Sequence, residues 1–242
     1  MPIQVDVEFR IRDAAKAAHR GDIIIVIDVL RCSSTIITAL TNGALGIIPV
    51  KTVREAISLH KKNPDYILAG ERGGIKLKNF DLGNSPLEFR REIVYGKHII
   101  LTTTSGTKAI AYSKGAKAIL IGALINARSV AKKAIRIAKE TGANLTILLS
   151  SMNGHFFLED YICAGAIISE IPNKDMELSD HAIAAKITFS NIKERLLETI
   201  LMGRYVQYLI DLGFKKDVIY CSQLNKFNMV PIYRGGLIKP SS

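Results

Sequence analysis

Short runs of consecutive apolar residues alternate along this chain with longer stretches of helical periodicity. Each run is five to eight residues long, is rich in Ile, Val and Leu, and lacks the polar–apolar alternation of a half-exposed strand. Continuous apolar runs of this length are typical of strands covered on both faces of a sheet. We predict strands at 22–29, 46–50, 66–70, 98–103, 118–123 and 145–151.

The stretches between these runs have the amphipathic period of helices. We predict helices at 34–42, 52–62, 106–114 and 126–141. Strands and helices that alternate in this way favour a mostly parallel sheet with helices on both faces. The predicted fold class is therefore α/β, a three-layer α/β/α sandwich.

The two ends of the chain show other patterns. Residues 2–9 alternate between apolar and polar, and we interpret them as a strand at an edge of the sheet. Residues 175–213 carry helical patterns and predict a C-terminal helical segment, which either covers the rim at the carboxyl ends of the strands or forms a homo-oligomer contact. Residues 217–224, DVIYCSQL, predict a late strand.

An internal repeat runs through most of the chain. Shifting the sequence by 72 positions aligns residues 27–47 with 99–119 without a gap and matches Ile, Ser, Thr, Ala and Gly at corresponding positions. We interpret this as a duplicated βαβαβ unit, at about 22–86 and 97–165, within a single domain spanning residues 1–242.

Four polar segments each follow a predicted strand. Right-handed crossovers in a parallel sheet leave the carboxyl ends of the strands at one edge, where open α/β sheets bind ligands. We therefore expect these segments to form one site. They are DVLRCSST (28–35), GERGGIKLKNFDLGNSP (70–86), TTTSGT (102–107) and SSMNGHFFLED (150–160).

Charge and cysteine content narrow the classes of function. The net charge is +11, but the lysines are dispersed over helix faces, which argues against a nucleic-acid binder. A small polyanionic substrate or a generally Lys-rich, thermophile-like surface explains the charge. Three distant cysteines without a CxxC pair argue against a disulfide framework or zinc knuckle. The longest apolar run, Ile23–Ile27, is far too short to span a membrane, and the first residues lack the apolar region of a signal peptide. We expect a cytoplasmic protein.

The first polar segment combines an acid and a base at the end of a buried strand. A carboxylate at Asp28 is costly there unless a cation meets it. In one interpretation Asp28 only pairs with Arg31 or caps the next helix. In the other, Asp28 holds Mg²⁺ and Arg31 binds an anion, while Ser33 and Ser34 add hydroxyl groups at the helix start.

The other segments supply further candidates. The turn after the strand at 98–103 predicts an anion-binding cradle of hydroxyl and backbone N–H groups. The long loop offers acids and polar donors, and the last segment offers two adjacent acids. These candidates are Thr103, Thr104, Ser105, Gly106 and Thr107 in the cradle, Glu71, Arg72, Asp81, Asn84 and Ser85 in the loop, and Glu159 and Asp160 in the last segment.

Several known phosphatase signatures are absent from the sequence. It contains no Cys-x5-Arg after Cys32, no Asp-x-Asp at Asp28 and no P-loop. Cys32 is better interpreted as a packed residue than as a nucleophile. What remains is a metal–carboxylate site with anion cradles, which suits phosphoryl chemistry through positioning and charge neutralisation.

Taken in order, these motifs resemble the 2-phosphosulfolactate phosphatase family over nearly the whole chain. The segments that carry the resemblance are VIDVLRCSSTIITAL, AGERGG with NFDLGNSPLEF, TTTSGTKAI, GHFFLEDYICAGAI and DVIYCSQLNKFNMVPIYRGGLI. The resemblance implies hydrolysis of 2-phospho-3-sulfolactate to 3-sulfolactate and phosphate, of the coenzyme M biosynthesis type, with Mg²⁺. Departures from the family pattern include Cys32, Asn79, Ser105 and Phe157, where the pattern has Ala, Gly, Asn and Ser.

On this basis we assign roles to the candidates. Asp28, Arg31, Glu159 and Asp160 are the predicted catalytic residues, and Asp28, Glu71, Asp81 and Asp160 are the predicted metal ligands. The predicted substrate-binding residues are Arg31, Ser33, Ser34, Arg72, Asn84, Ser85, Thr103, Thr104, Ser105, Gly106 and Thr107. Two alternatives stay open: a phosphatase for another phosphorylated 2-hydroxy acid, and a non-catalytic binder of anionic metabolites.

Overall fold

A computed structural model describes residues 2–150 and 155–241 of the chain. No helix in these two ranges is long and apolar enough to cross a membrane. The strands are β1 (Ile3–Glu8), β2 (Ile23–Ile27), β3 (Gly46–Pro49), β4 (Ile67–Arg72), β5 (Ile75–Lys76), β6 (His98–Thr102), β7 (Ala118–Gly122), β8 (Leu145–Leu149), β9 (Met176–Leu178), β10 (Pro231–Arg234) and β11 (Leu237–Pro240).

Helices lie between and after these strands. They are α1 (Ala14–His19), α2 (Cys32–Thr41), α3 (Val53–Lys62), α4 (Arg91–Val94), α5 (Gly106–Tyr112), α6 (Ala127–Thr141), α7 (Leu158–Ser169), α8 (Asp180–Ile192), α9 (Leu196–Leu201), α10 (Arg204–Asp211) and α11 (Lys215–Cys221). Short 3-10 helices occupy Ile11–Asp13, Pro86–Glu88, Leu124–Asn126, Asn173–Asp175 and Lys193–Arg195. The predicted α/β class, the six apolar strands and the C-terminal helical segment are confirmed.

Successive residues of β2 face two different hydrophobic cores. Ile23, Ile25 and Ile27 belong to the core beneath α6, α7 and α8, whereas Ile24 and Val26 belong to the core beneath α1, α2 and α5. Helices thus cover both faces of the sheet, which explains why its strands are continuous apolar runs. On the other side of the molecule, α3 covers β4 and β6.

The eleven strands form a single sheet, in the order β5-β4-β6-β3-β11-β10-β7-β2-β8-β1-β9. Strands β4, β6 and β3 are parallel to one another, and so are β7, β2, β8, β1 and β9. The C-terminal hairpin β10–β11 joins the two groups through antiparallel pairs at each side. The two parallel groups therefore run in opposite directions.

The strands of the two repeat units interleave across this sheet. The first unit contributes β2, β3 and β4, and the second contributes β6, β7 and β8. The order is β4-β6-β3 on one side of the hairpin and β7-β2-β8 on the other. In the repeat, β2 corresponds to β6, β3 to β7 and β4 to β8. When each strand is replaced by its counterpart, the order on one side of the hairpin becomes the reversed order on the other side, so the two units are related by a pseudo-twofold axis at the hairpin.

Two details of the predicted fold are wrong. β1 is the second strand from the edge, because β9 pairs outside it; its alternation reflects one half-exposed face, not an unpaired side. Residues 217–224 begin within helix α11, where Val218 and Cys221 are buried at helical spacing. The sheet is mostly parallel, as predicted, and the antiparallel pairs in its middle arise because the hairpin turn at Gly235–Gly236, with φ of 55° and 92°, folds the tail back between the two parallel groups.

The polar segments were expected to meet because the strands of a parallel sheet all end at one edge. The observed topology, with two parallel groups of opposite direction, does not provide this reason. In a flat sheet, the carboxyl ends of β2 and β6 would lie at opposite edges. Five strand-to-strand steps separate β2 from β6, and a twist of about 20–25° per step gives roughly 100–125° in total. A twist of this size leaves the directions of β2 and β6 far from antiparallel. The segments that follow the two strands meet, since Gly106, which starts α5, lies so close to the turn before α2 that a Cβ there would be 2.6 Å from Asp28 Oδ2.

Candidate active site

One cavity of about 250 Å³ collects side chains from the ends of four strands and from the C-terminal helices. Residues that follow β2, β4, β6 and β8 meet there, together with residues of α7 and α10. The lining is Asp28, Leu30, Arg31, Glu71, Gly73, Asn84, Thr104, Ser105, Ser150, Phe157, Glu159, Asp160, Tyr205 and Tyr208.

Asp28 follows the last residue of β2. It lines the cavity and also stabilises the turn into α2. Its Oδ1 accepts a hydrogen bond from the backbone N–H of Cys32 at 3.1 Å, so Asp28 does cap the helix. Burial, with a smaller contribution from the charge of Glu71, raises the pKa of Asp28 to about 6. The Cys32 thiol is buried and its pKa is raised well above the ordinary value, as suits a packed residue.

Glu159 and Asp160 lie in the first turn of α7 and are both buried. Asp160 accepts hydrogen bonds from the Val29 N–H at 2.8 Å and from the Ser150 hydroxyl at 3.4 Å. Burial is the largest cause of the rise in the pKa of Glu159 to about 7, and the charge of Asp28 adds to it. The pKa of Asp160 is raised well above its ordinary value by burial, Asp28 and Glu159.

These three acids repel one another and form no ion pair within the described part of the chain. The Glu159 Oε2 and Asn84 Oδ1 atoms are buried with no hydrogen-bond partner among the described residues. Buried unpaired acceptors are rare in native proteins, because losing water without a replacement costs free energy. The cluster thus has the chemistry of a site that receives a cation.

The described part of the chain holds no preformed cage for a metal ion, however. Among the described residues, no three His, Cys, Asp or Glu side chains are arranged to hold one. Mg²⁺ often binds through one or two carboxylates and completes its shell with water and substrate phosphate oxygens. Asp28 and Asp160 fit this mode of binding.

Two of the predicted metal ligands are engaged elsewhere. Glu71 lines the cavity, but its carboxylate accepts hydrogen bonds from the Thr104 N–H at 2.7 Å, the Thr104 hydroxyl at 3.0 Å and the Gly74 N–H at 2.9 Å. Glu71 thereby ties the end of β4 to the end of β6. Asp81 is exposed, accepts from the Leu68 N–H at 2.8 Å and does not line the cavity. The structure does not bring Asp81 into the site.

Arg31 lines the cavity from a fully buried position. Its Nη1 donates to Asp217 Oδ2 at 2.8 Å, its Nη2 donates to the Gly74 carbonyl, and its guanidinium lies 3.9 Å from the centre of the Phe214 ring. Its ion-pair partner is therefore Asp217 of α11 and not Asp28. A guanidinium has five N–H donors, so these two bonds leave Arg31 able to bind an anion.

Only part of the predicted hydroxyl cradle reaches the cavity. Thr104 and Ser105 line it, whereas the hydroxyls of Thr103 and Thr107 each accept a hydrogen bond from the other's backbone N–H at 3.1 Å. Gly106 lies behind them, against Asp28. The cradle is therefore smaller than the sequence motif.

Four other predicted substrate-binding residues serve the scaffold. Ser33 accepts from the Asp28 N–H at 3.0 Å, and Ser34 donates to the Val29 carbonyl at 2.8 Å. Ser85 donates to Asp217 Oδ1 at 2.7 Å. Arg72 donates to the Glu71 carbonyl and to the Thr102 hydroxyl. None of the four lines the cavity.

Several lining residues were absent from the sequence prediction. Tyr205 and Tyr208 come from α10, where the sequence shows only an amphipathic helix, and Ser150 comes from the end of β8. Burial and then the Asp28 and Glu71 charges raise the pKa of Tyr205 above its usual range. Asp217, which orients Arg31, is the first residue of the DVIYCSQL motif. The motif was therefore the available signal for it, but its interpretation as a strand gave Asp217 no role in the site.

Phe157, one of the departures named with the family resemblance, lines the cavity. Its ring lies 5.0 Å from that of Tyr205, and the Tyr205 ring lies 5.9 Å from that of Tyr208. The three rings form an aromatic wall beside the acids. The cavity thus combines buried acids, one arginine, hydroxyl groups and an aromatic wall.

Known proteins resemble this chain in sequence over nearly its whole length. The profile of the 2-phosphosulpholactate phosphatase family matches residues 9–236. A probable 2-phosphosulfolactate phosphatase of Clostridium novyi (strain NT) is 39% identical over 231 residues, covering 95% of this chain and 96% of that protein. Those of Clostridium beijerinckii and Carboxydothermus hydrogenoformans are 38% and 40% identical, covering 98% and 99% of this chain and 99% and 98% of the respective proteins. The chain therefore belongs to the 2-phosphosulfolactate phosphatase family, a family of phosphoric monoester hydrolases.

Proposed function

We propose that this protein hydrolyses 2-phospho-3-sulfolactate to 3-sulfolactate and phosphate with the help of Mg²⁺. The observation that carries the proposal is the shared cavity, which holds the buried acids Asp28, Glu159 and Asp160 together with Arg31. A cation site next to an arginine and hydroxyl groups suits a small substrate that carries several negative charges. Family membership supports the same reaction.

In this proposal Asp28 and Asp160 hold the metal ion. Mg²⁺, when bound, supplies charge neutralisation and polarisation of a phosphoryl oxygen. Both carboxylates are already oriented by the chain, Asp28 by the Cys32 N–H and Asp160 by the Val29 N–H. Such preorganisation reduces the reorganisation that is needed when the substrate binds.

Glu159 is the proposed general base. Its Oε2 has no hydrogen-bond partner among the described residues, and its pKa of about 7 lies near neutral pH. A base with such a pKa takes a proton from water efficiently at that pH. We assign to Glu159 Oε2 the proton of the attacking water.

The remaining polar groups bind and orient the substrate. Arg31 and the hydroxyl of Ser105 are donors for its anionic groups, and Asn84 offers a buried side-chain amide. The Thr104 hydroxyl lines the cavity as well, but its single O–H already donates to Glu71. Arg31 cannot swing away, because Asp217 and Gly74 hold its guanidinium. Because these donors are fixed, they hold the substrate in a defined orientation and do more than attract its charge.

The product, 3-sulfolactate, is of the type consumed in coenzyme M biosynthesis, and we assign the reaction to the cytoplasm. The three cysteines, Cys32, Cys163 and Cys221, are buried and unpaired, which supports a reducing compartment.

The test is phosphate release from racemic 2-phospho-3-sulfolactate, with Mg²⁺ and with excess EDTA, beside phospholactate and 4-nitrophenyl phosphate. We expect metal-dependent turnover with a strong preference for the sulfonated substrate. Equal turnover with EDTA would refute the dependence on a metal ion. Turnover of only the other two esters would refute 2-phospho-3-sulfolactate as the substrate.

One observation favours a second candidate, a phosphatase for another phosphorylated 2-hydroxy acid. Phe157 replaces the serine of the family pattern and lines the cavity, where it removes a hydroxyl donor. A preference for phospholactate in the same assay would select this candidate. Stoichiometric anion binding without turnover of any ester would instead select a non-catalytic binder.

A further inference from the structure

The geometry points to Tyr205 as a further substrate-contacting residue, whose hydroxyl donates a hydrogen bond to the anion bound beside Arg31. This inference rests on the proposed function and extends it to the C-terminal helical segment. That segment supplies a donor to the cavity and is more than a cover over it.

The two tyrosines that line the cavity differ in the hydrogen bonding of their hydroxyl groups. Tyr205 lines the cavity at the start of α10, and its surroundings include Asp28, Glu71, Glu159 and Arg31. Its hydroxyl forms no hydrogen bond with any residue of the described ranges, whereas Tyr208 donates to the Gly73 carbonyl at 2.9 Å. Tyr205 thus has an uncommitted donor, and Tyr208 does not.

The ring of Tyr205 packs against two other aromatic rings. They belong to Phe157 and Tyr208, at centroid distances of 5.0 and 5.9 Å. Aromatic side chains with few rotatable bonds lose little entropy when they are fixed in this way. The ring is therefore held by packing before any ligand arrives.

The C-terminal helices are anchored to the turn that carries Arg31. Asp217 of α11 accepts from Arg31 Nη1, and Phe214, between α10 and α11, stacks on the same guanidinium. The hydroxyl of Tyr205 and the guanidinium of Arg31 consequently belong to one connected unit. A phenol is protonated at neutral pH and can donate to an anion that this arginine attracts.

The acids near Tyr205 leave its hydroxyl free to serve a ligand. Asp28 and Glu159 are acceptors, but neither takes a hydrogen bond from this phenol. An anionic ligand group near Arg31 gives the hydroxyl an acceptor. A hydrogen bond to a charged group is stronger than one between neutral groups.

The test compares Tyr205→Phe with wild type and with the matched control Tyr233→Phe. Both variants remove a phenol that has no hydrogen bond to the described residues, but Tyr233 lies in β10, outside the cavity. The readouts are kcat and KM for 2-phospho-3-sulfolactate, calorimetric affinity for 3-sulfolactate and for inorganic phosphate, and Tm. We expect Tyr205→Phe to lower kcat/KM by about 10- to 100-fold.

The same variant should weaken binding of at least one of the two products by at least about 5-fold and leave Tm within about 2 °C of wild type. Tyr233→Phe should match wild type in every readout. A Tyr205→Phe enzyme that keeps wild-type kcat/KM and product affinity would overturn the inference.

Failure of the proposed function gives a different result. A wild type that hydrolyses none of the esters refutes the function, yet the product affinities of wild type and Tyr205→Phe still test the hydrogen bond. If wild type binds neither 3-sulfolactate nor phosphate, the inference is overturned as well.

Discussion

Arg31 and Asp217 form a buried ion pair with 2.8 Å between Nη1 and Oδ2, although 186 positions separate them in the chain. Their side chains are only 2% and 3% exposed. The pair connects the turn after β2 to helix α11, and Asp217 also accepts a hydrogen bond from Ser85. One carboxylate from the C-terminal segment thereby positions the arginine of the site.

Asp217→Ala should lower both stability and activity. The substitution leaves the Arg31 guanidinium buried without its counter-ion, and removing one partner of such a pair typically costs about 3–5 kcal/mol. Urea unfolding followed by circular dichroism measures this loss, and phosphate release measures the activity. Both should fall in the same variant.

The matched control is Asp175→Ala, which breaks the exposed ion pair with Lys139. An exposed pair contributes about 0–1 kcal/mol, so this variant should remain close to wild type. If Asp217→Ala lost no more stability than Asp175→Ala, the central role of the buried pair would be wrong.

The strands were predictable from the sequence because burial on both faces leaves continuous apolar runs. The place of the C-terminal hairpin in the sheet was not predictable, because it depends on pairing with β3 and β7, far away in sequence. The local signal did exist, since Gly235–Gly236 between two apolar stretches is typical of a tight hairpin turn. Nothing local shows that a tail hairpin enters the middle of a sheet.

The site was predictable in residue type more than in side-chain direction. Ser33 and Ser105 match in the repeat, yet Ser33 bonds to the backbone while Ser105 lines the cavity. Buried backbone groups need partners, and a nearby hydroxyl meets that need before it can serve a ligand. Tyr205 was not predictable, because its helix reaches the cavity only through tertiary packing.

Asp28→Asn should abolish most of the activity while leaving the fold intact. The amide oxygen can still accept from the Cys32 N–H, but the charge that would hold the metal ion is gone. We expect kcat at saturating Mg²⁺ to fall by at least about 100-fold, a loss of roughly 3 kcal/mol of transition-state stabilisation. Wild-type turnover in this variant would exclude Asp28 from the metal site.

Asp81→Asn separates the sequence prediction from the structure. The side chain is exposed and can still accept from the Leu68 N–H after substitution. We expect kcat and the Mg²⁺ concentration for half-maximal activity to stay within about twofold of wild type. A large rise in the required Mg²⁺ would restore Asp81 as a ligand.

Gly106→Ala should impair the site through a steric clash. A Cβ at this position would lie 2.6 Å from Asp28 Oδ2 and 2.6 Å from Cys32 Cβ, so the two helix starts must separate. Overpacking of this kind costs about 1–3 kcal/mol, more than the gain of up to about 1 kcal/mol that alanine offers in a helix. The rate of phosphate release should fall more than this loss of stability alone explains, because the added methyl group displaces the Asp28 carboxylate.

Gly142→Ala is the comparison variant for this clash. Gly142 has a φ of 69° at the end of α6, and no atom lies within 4 Å of an added Cβ. Alanine there should cost about 1–2 kcal/mol of backbone strain without changing kcat. Equal activity in Gly106→Ala and Gly142→Ala would show that Asp28 tolerates the intruding methyl group.

The stability of the metal-free protein should fall as the pH rises from about 4 to 8. The folded-state pKa values of Asp28 and Glu159 are raised to about 6 and about 7, from ordinary values of 3.8 and 4.5. The folded state therefore binds protons more tightly than the unfolded state does. This contribution is fully present below about pH 4 and is lost as the pH rises through 6 and 7.

Urea unfolding in EDTA at a series of pH values measures this dependence, with Glu159→Gln as the matched variant. The glutamine has no proton to lose, so its stability should decline less steeply with pH. Added Mg²⁺ should stabilise wild type more at pH 8 than at pH 5, because at pH 5 protons compete for the same carboxylates. A Mg²⁺ effect that is equal at both pH values would show that the ion binds away from these acids.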